Sequence, residues 1–157
     1  MPVMLLKVKT MPNWCANKLT VRGSELAVDA FRKQAVGNSP WPTQRETEDK
    51  PNLLNFHNLL AIPSEVLASG YVIGANWERE NWGCTYGASE TLIVEEWEGL
   101  VIYEFQTPWL PPIKLLETIA RHFPDLTFLL DYDEPDAGFT GIARFKSETK
   151  EEDCLNY

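Results

Sequence analysis

Two side-chain pairs in this 157-residue chain have the chemistry to grip a ligand, Asn13 with Trp14 and Asn81 with Trp82. An asparagine amide offers donors and acceptors, and an adjacent indole supplies a flat apolar platform, a combination that suits a planar or sugar-like ligand. The same residues serve a scaffold equally well, asparagine by bonding to the backbone of a turn and tryptophan by filling core. A second set is Glu95, Glu104 and Asp131. Three convergent carboxylates can bind Mg²⁺ or Ca²⁺ or divide acid and base roles. With Lys18 and Arg22 on a neighbouring strand, they instead make a solvated surface of mixed charge. Cys15 has no local base or helix N-terminus to lower its pKa, so a buried, inert thiol is expected. His57 and His122 stand among apolar neighbours and read as structural.

No GxGxxG, P-loop, HExxH or GxSxG pattern is present. The three cysteines form no CxxC pair, and the two histidines lack ligand-like spacing to them, so neither a metal nor a cofactor is expected. No catalytic residue is assigned, and an enzyme is the least favoured class.

The element that must position the carboxylates is a hairpin. Thr91 to Trp97 and Leu100 to Thr107 are rich in β-branched and aromatic residues, and Glu98-Gly99 forms a two-residue turn between them. Placing Trp97 opposite Leu100 puts Val94 opposite Tyr103 and Leu92 opposite Phe105. One face then reads Leu92, Val94, Val101, Tyr103 and Phe105 and is expected to be core. The other reads Thr91, Ile93, Glu95, Trp97, Leu100, Ile102, Glu104 and Gln106 and is expected to be wet.

Around the hairpin, Ala16 to Arg22 alternates as a strand, and Ser24 N-caps a helix whose stripe is Leu26, Phe31, Ala30 and Ala35. A long exposed loop spans 37–52, Leu53 to Leu60 is a candidate strand, and Pro63-Ser64-Glu65 opens a short helix. Tyr71 to Gly87 shows no clear regular structure. Pro111-Pro112 opens a helix carrying Leu116, Ile119, Ala120 and Phe123, stopped by Pro124. Strands follow over Leu126 to Asp133 and Phe139 to Phe145. The organisation expected is an N-terminal extension over 1–10, one domain over 11–147 and an acidic flexible tail over 148–157. Met11 would serve as well as Met1 for a start.

Bulk properties narrow the partners. The apolar content of 44% and six tryptophans indicate a folded chain. A net charge of -9 argues against a phosphate-backbone binder, which needs clustered Lys and Arg. The odd cysteine count fits a reducing cytoplasm, and Val3 to Leu6 is too short for a signal peptide or membrane span.

Four motifs occur in order: Met11-Pro12-Asn13-Trp14-Cys15-Ala16-Asn17, Asn81-Trp82-Gly83, Phe105-Gln106-Thr107-Pro108-Trp109-Leu110-Pro111-Pro112, and Tyr132-Asp133-Glu134 with Phe139-Thr140-Gly141. Together they resemble the YubB-type ferredoxin-like domain family of phages, plasmids and integrated elements. The resemblance departs at Cys84-Thr85-Tyr86, where Thr-Lys-Trp is expected, and at Asp136, where glycine is. It implies an α+β ferredoxin-like antiparallel sheet with two main helices packed on one face, extra strands and an irregular Trp-rich segment. It implies no established activity. Trp109 and Glu134, which stand within these motifs, complete the candidate binding residues.

The favoured expectation is a non-enzymatic protein-interaction module that uses the wet sheet face, through Ile93, Glu95, Trp97, Ile102 and Glu104, to hold a host protein. Its carboxylates would stand where that host expects phosphates. Two alternatives stay open: single-stranded nucleic-acid binding on the sheet, and small-ligand binding or an unrecognised activity at Asn13/Trp14 and Asn81/Trp82.

Overall fold

A computed structural model describes residues 12–41 and 50–157. The expected N-terminal extension over 1–10 lies outside the described residues, as does the middle of the 37–52 loop. Among these residues six strands form one antiparallel sheet: β1 (Trp14–Arg22), β2 (Ser89–Trp97), β3 (Leu100–Pro108), β4 (Thr127–Glu134), β5 (Phe139–Lys146) and β6 (Thr149–Asn156). Five helices accompany them: α1 (Glu25–Ala35), α2 (Phe56–Leu59), α3 (Ser64–Ala68), α4 (Tyr71–Asn81) and α5 (Ile113–His122). The strand order is β2-β3-β1-β4-β5-β6. Its first four strands, with α1 and α5 as crossings, form the split βαβ arrangement of ferredoxin-like domains, and β5-β6 extend it as a meander.

Period-two alternation builds the core. Leu19 and Val21 on β1, Val101 and Tyr103 on β3, and Phe128 and Leu130 on β4 are buried to within 1%. Val28, Phe31 and Ala35 of α1 and Leu115, Leu116, Ile119 and Ala120 of α5 belong to the same cluster. Phe31 sits at its centre, edge-on to Phe128 at 5.4 Å and Tyr103 at 6.3 Å. Ser24 caps α1 as expected, accepting from Ala27 N at 3.1 Å. The helix is turned from the expected stripe, however: Val28 is inside, whereas Leu26 is 84% exposed.

The structure corrects several expectations. Leu53 to Leu60 holds the short helix α2, capped by Asn55, which accepts from Asn58 N at 2.8 Å. Tyr71–Asn81 is helical despite lacking a side-chain cap; Val72 and Ile73 face solvent, so its pattern gives no apolar stripe. The expected acidic tail over 148–157 forms β6, paired along its length with β5. Local composition undervalues that strand, because its stability comes from an existing β5 edge. His122 is exposed.

The hairpin keeps its expected register near the turn, with Trp97↔Leu100, Glu96↔Val101 and Glu95↔Ile102. Gly99 takes φ 71, and its carbonyl accepts from Gly23 N at 3.1 Å. A β-bulge then shifts the pairing to Ile93↔Tyr103 and Leu92↔Glu104. This inverts the far half of β2. Ile93 packs on the core instead of the wet face, and Leu92 and Val94 are 60% and 41% exposed. Among the described residues no helix is long and apolar enough to cross a membrane.

Candidate functional site

The uncovered face of the sheet is organised in rungs, because directly paired residues point to the same side. One rung runs Trp97, Leu100, Arg22, Thr127, Lys146, Thr149. The third from that end runs Leu92, Glu104, Lys18, Asp131, Ile142, Asp153. Between them lies Glu95, Ile102, Thr20, Leu129, Arg144, Glu151, and beyond them Ala16, Asp133 and Thr140 continue the face. Basic side chains therefore concentrate at the Arg22 end and acidic ones toward Asp133. A shallow trough of about 710 Å³ crosses the acidic end; Ala16 and Gly141 lie along it, with Leu92, Glu104, Lys18 and Asp131.

Gly141 backs the trough from the covered face, where its strand partner Tyr132 is buried. A side chain there would collide with the Tyr132 ring, which lies over it and donates its hydroxyl to Glu152 at 2.9 Å.

The expected carboxylates divide. Glu104 and Asp131 flank Lys18 on one rung, two strands apart, which is about 10 Å at ~4.8 Å per strand. Glu95 sits on the neighbouring rung beside Ile102. Such spacing is too wide for shared coordination, and among the described residues no group of three His, Cys, Asp or Glu could hold a metal ion. None of Glu104, Asp131 and Lys18 forms an ion pair with another described residue. Trp97 is 71% exposed at the β2 edge, and Ile102 is half-buried.

The asparagine and tryptophan pairs do not act together. Trp82 is 3% exposed, meets Phe56 and Trp77 edge-on at 5.5 and 5.8 Å, and donates its indole N–H to Leu60 O at 3.0 Å. Asn81 donates its amide to Trp77 O at 2.8 Å, closing the last turn of α4. Trp14 and Trp109 lie instead where β1 and β3 end, tied by Trp109 N donating to Asn13 O at 2.8 Å. Trp109 takes φ 68 and is 52% exposed. Glu134 is fully buried, and its carboxylate accepts from Asp136 N at 3.2 Å and Ala137 N at 2.6 Å. It holds the β4–β5 turn from within.

A second concavity, about 830 Å³, lies beside α4 and includes Trp41, Asn52, Asn55, His57, Glu78 and Tyr86 in its lining. Glu78, invisible in the sequence pattern, is fully buried and accepts from the Trp41 indole at 3.3 Å and Tyr86 N at 3.2 Å. Burial raises its pKa, against the pull of those two donors and of Arg79. Asn52 donates to Ala88 O and accepts from Leu54 N, at 2.7 and 2.9 Å. His57 Nδ1 accepts from Ile62 N at 2.9 Å, and burial lowers its pKa. The polar groups here are engaged in holding the helical insert together.

The thiols are equally occupied by the fold. Burial pushes Cys15 up to about 12, with the Glu134 carboxylate adding to the shift. Burial likewise raises Cys84, which is 1% exposed. Neither supplies a thiolate near neutrality.

A family model described as a ferredoxin-like domain in Api92-like protein matches residues 82–156, just under half of the chain. No curated protein matches the chain. A crystal structure of protein api92 from Yersinia pseudotuberculosis is similar at a TM-score of 0.72, covering 94% of this chain and 98% of that one at 10% identity. At that identity the likeness is one of fold. Geometry and comparisons thus agree that the chain carries a ferredoxin-like domain of the α+β class, with a six-stranded antiparallel sheet.

Proposed function

We propose that this chain is a non-enzymatic protein-interaction module that binds through the open sheet face. The single observation that carries the reading is the persistence of Trp97, Leu92 and Ile142 as exposed apolar groups among carboxylates on a sheet whose other face is filled along β1, β3 and β4. Tryptophan is enriched at binding hot spots, and an exposed apolar patch with a polar rim is the usual mark of an interface. The face measures about six strands by four rungs, about 800 Å² at ~4.8 Å per strand and ~6.8 Å per rung, which is one side of a standard interface. The motif resemblance to YubB-type proteins supports an origin in a mobile genetic element and a host protein as partner, in the cytoplasm.

Nucleic-acid binding has less support. The central strands present Ala16, Lys18 and Thr20 beside Ile102, Glu104 and Gln106, without a ring on which a base could stack. The test is a photo-cross-linking amino acid placed at Trp97 or Ile102, with a control at Val72 on α4, in cells of the source organism. Discrete protein adducts from the first two positions alone are expected; equal yields from all three, or none, would refute the reading.

A further inference from the structure

We infer that the rung Leu92, Glu104, Lys18, Asp131, Ile142 is a docking site for a basic polypeptide segment of the partner, one presenting two cationic side chains about 10 Å apart. This rests on the interaction reading above and adds the chemistry of what is bound.

Charge complementarity is the first argument. Along this rung and the Asp133 end beyond it, Glu104, Asp131, Asp153 and Asp133 stand against the single cation Lys18. Glu104 and Asp131 are exposed and stand within ion-pair distance of no other described residue, so Lys18, their neighbour across the strands, is the cation a partner's must compete with. The flanks are the second argument. Leu92 is 60% exposed and Ile142 44%, and they stand at opposite ends of the carboxylate pair on the same rung. An acidic pair bracketed by two apolar knobs suits a segment whose cations are flanked by apolar residues. The chain's net charge of -9 adds long-range attraction for such a segment.

Lys18 makes the inference testable in both directions. It lies between the two carboxylates and repels an incoming cation, so its removal tightens binding, an effect that loss of fold would not produce. The probe is a leucine-flanked octapeptide with arginines three residues apart, which the three-residue turn of a polyproline II conformation brings to one side about 9 Å apart. It is titrated into the protein labelled with ¹⁵N, beside the same peptide carrying glutamines. Amide shifts are expected at Lys18, Glu104 and Asp131 with the arginine peptide only. Lys18→Gln should bind it about four-fold tighter, and Glu104→Gln with Asp131→Asn about ten-fold weaker, with the difference shrinking in salt. Equal binding of the glutamine peptide, or no gain from Lys18→Gln, would overturn the basic-segment inference and leave the sheet-face reading standing. Silence of these amides toward both peptides, with cross-links still forming at Trp97 and Ile102, would do the same. Silence with no cross-links would remove both.

Discussion

The cleft beside α4 and the trough across the sheet are of similar size, about 830 and 710 Å³, yet their polar groups are in opposite conditions. In the cleft, Glu78, Asn52 and His57 are tied to Trp41, Tyr86, Ala88, Leu54 and Ile62 by bonds of 2.7 to 3.3 Å. In the trough, Glu104, Asp131 and Lys18 stand in solvent without an ionic partner among the described residues. A concavity is available for binding to the extent that its donors and acceptors are not already committed. By that measure the cleft is scaffold, and the trough keeps its polar groups uncommitted.

The largest expected effect contrasts two tryptophans, one from each region. Trp82→Ala should cost about 3–5 kcal/mol in chemical denaturation, because a fully packed indole is lost, whereas Trp97→Ala should stay within about 0.5 kcal/mol. Similar costs for the two would erase the distinction. Next comes Glu134→Ala, which strands the N–H groups of Asp136 and Ala137; a loss of about 1–3 kcal/mol is expected from the same measurement.

Gly141→Ala should be of comparable or slightly smaller size, about 1–3 kcal/mol, since a new Cβ meets the Tyr132 ring and Asp153 O at 2.9 Å. A neutral result would show that Tyr132 swings aside freely. The smallest and most specific effect concerns pH. Glu78 has a folded pKa above its unfolded value, so the native state holds its proton more tightly. Its contribution is fully present below the unfolded value near 4.5 and is lost as pH rises through the folded one. The stability of Glu78→Gln relative to the parent should therefore improve as pH is raised from 4 toward neutrality. A difference that stays flat with pH would remove the claim that burial perturbs this carboxylate.

Much of the sheet was legible in the sequence. Alternation located β1, β3, β4 and β5, and the Glu98-Gly99 turn set three correct rungs of the hairpin. What escaped was non-local. A bulge of one residue moved Ile93 inward and Leu92 outward, and nothing in the Leu92-Ile93-Val94 run distinguishes its members by hydropathy. The helix over Tyr71–Asn81 was hidden because it buries Gly74, Ala75 and Glu78 instead of an aliphatic stripe. Glu78 itself could not be anticipated, since its donors, Trp41 and Tyr86, come from segments before and after α4. The wet face was readable as acidic from Glu95, Glu104 and Asp131. Lys18's place between two of them needed the strand order β3-β1-β4.

The sixth strand has a further consequence. Every residue from Thr149 to Asn156 is exposed, and among the described residues no strand lies along its outer backbone edge. Such an edge invites another molecule to zip onto it and begin a ribbon. Here Glu151, Glu152 and Asp153 occupy the middle of the strand, so two copies meeting edge to edge press carboxylate against carboxylate. The guard is electrostatic and vanishes on protonation: acidified solutions should scatter light through self-association that dissolves again near neutrality.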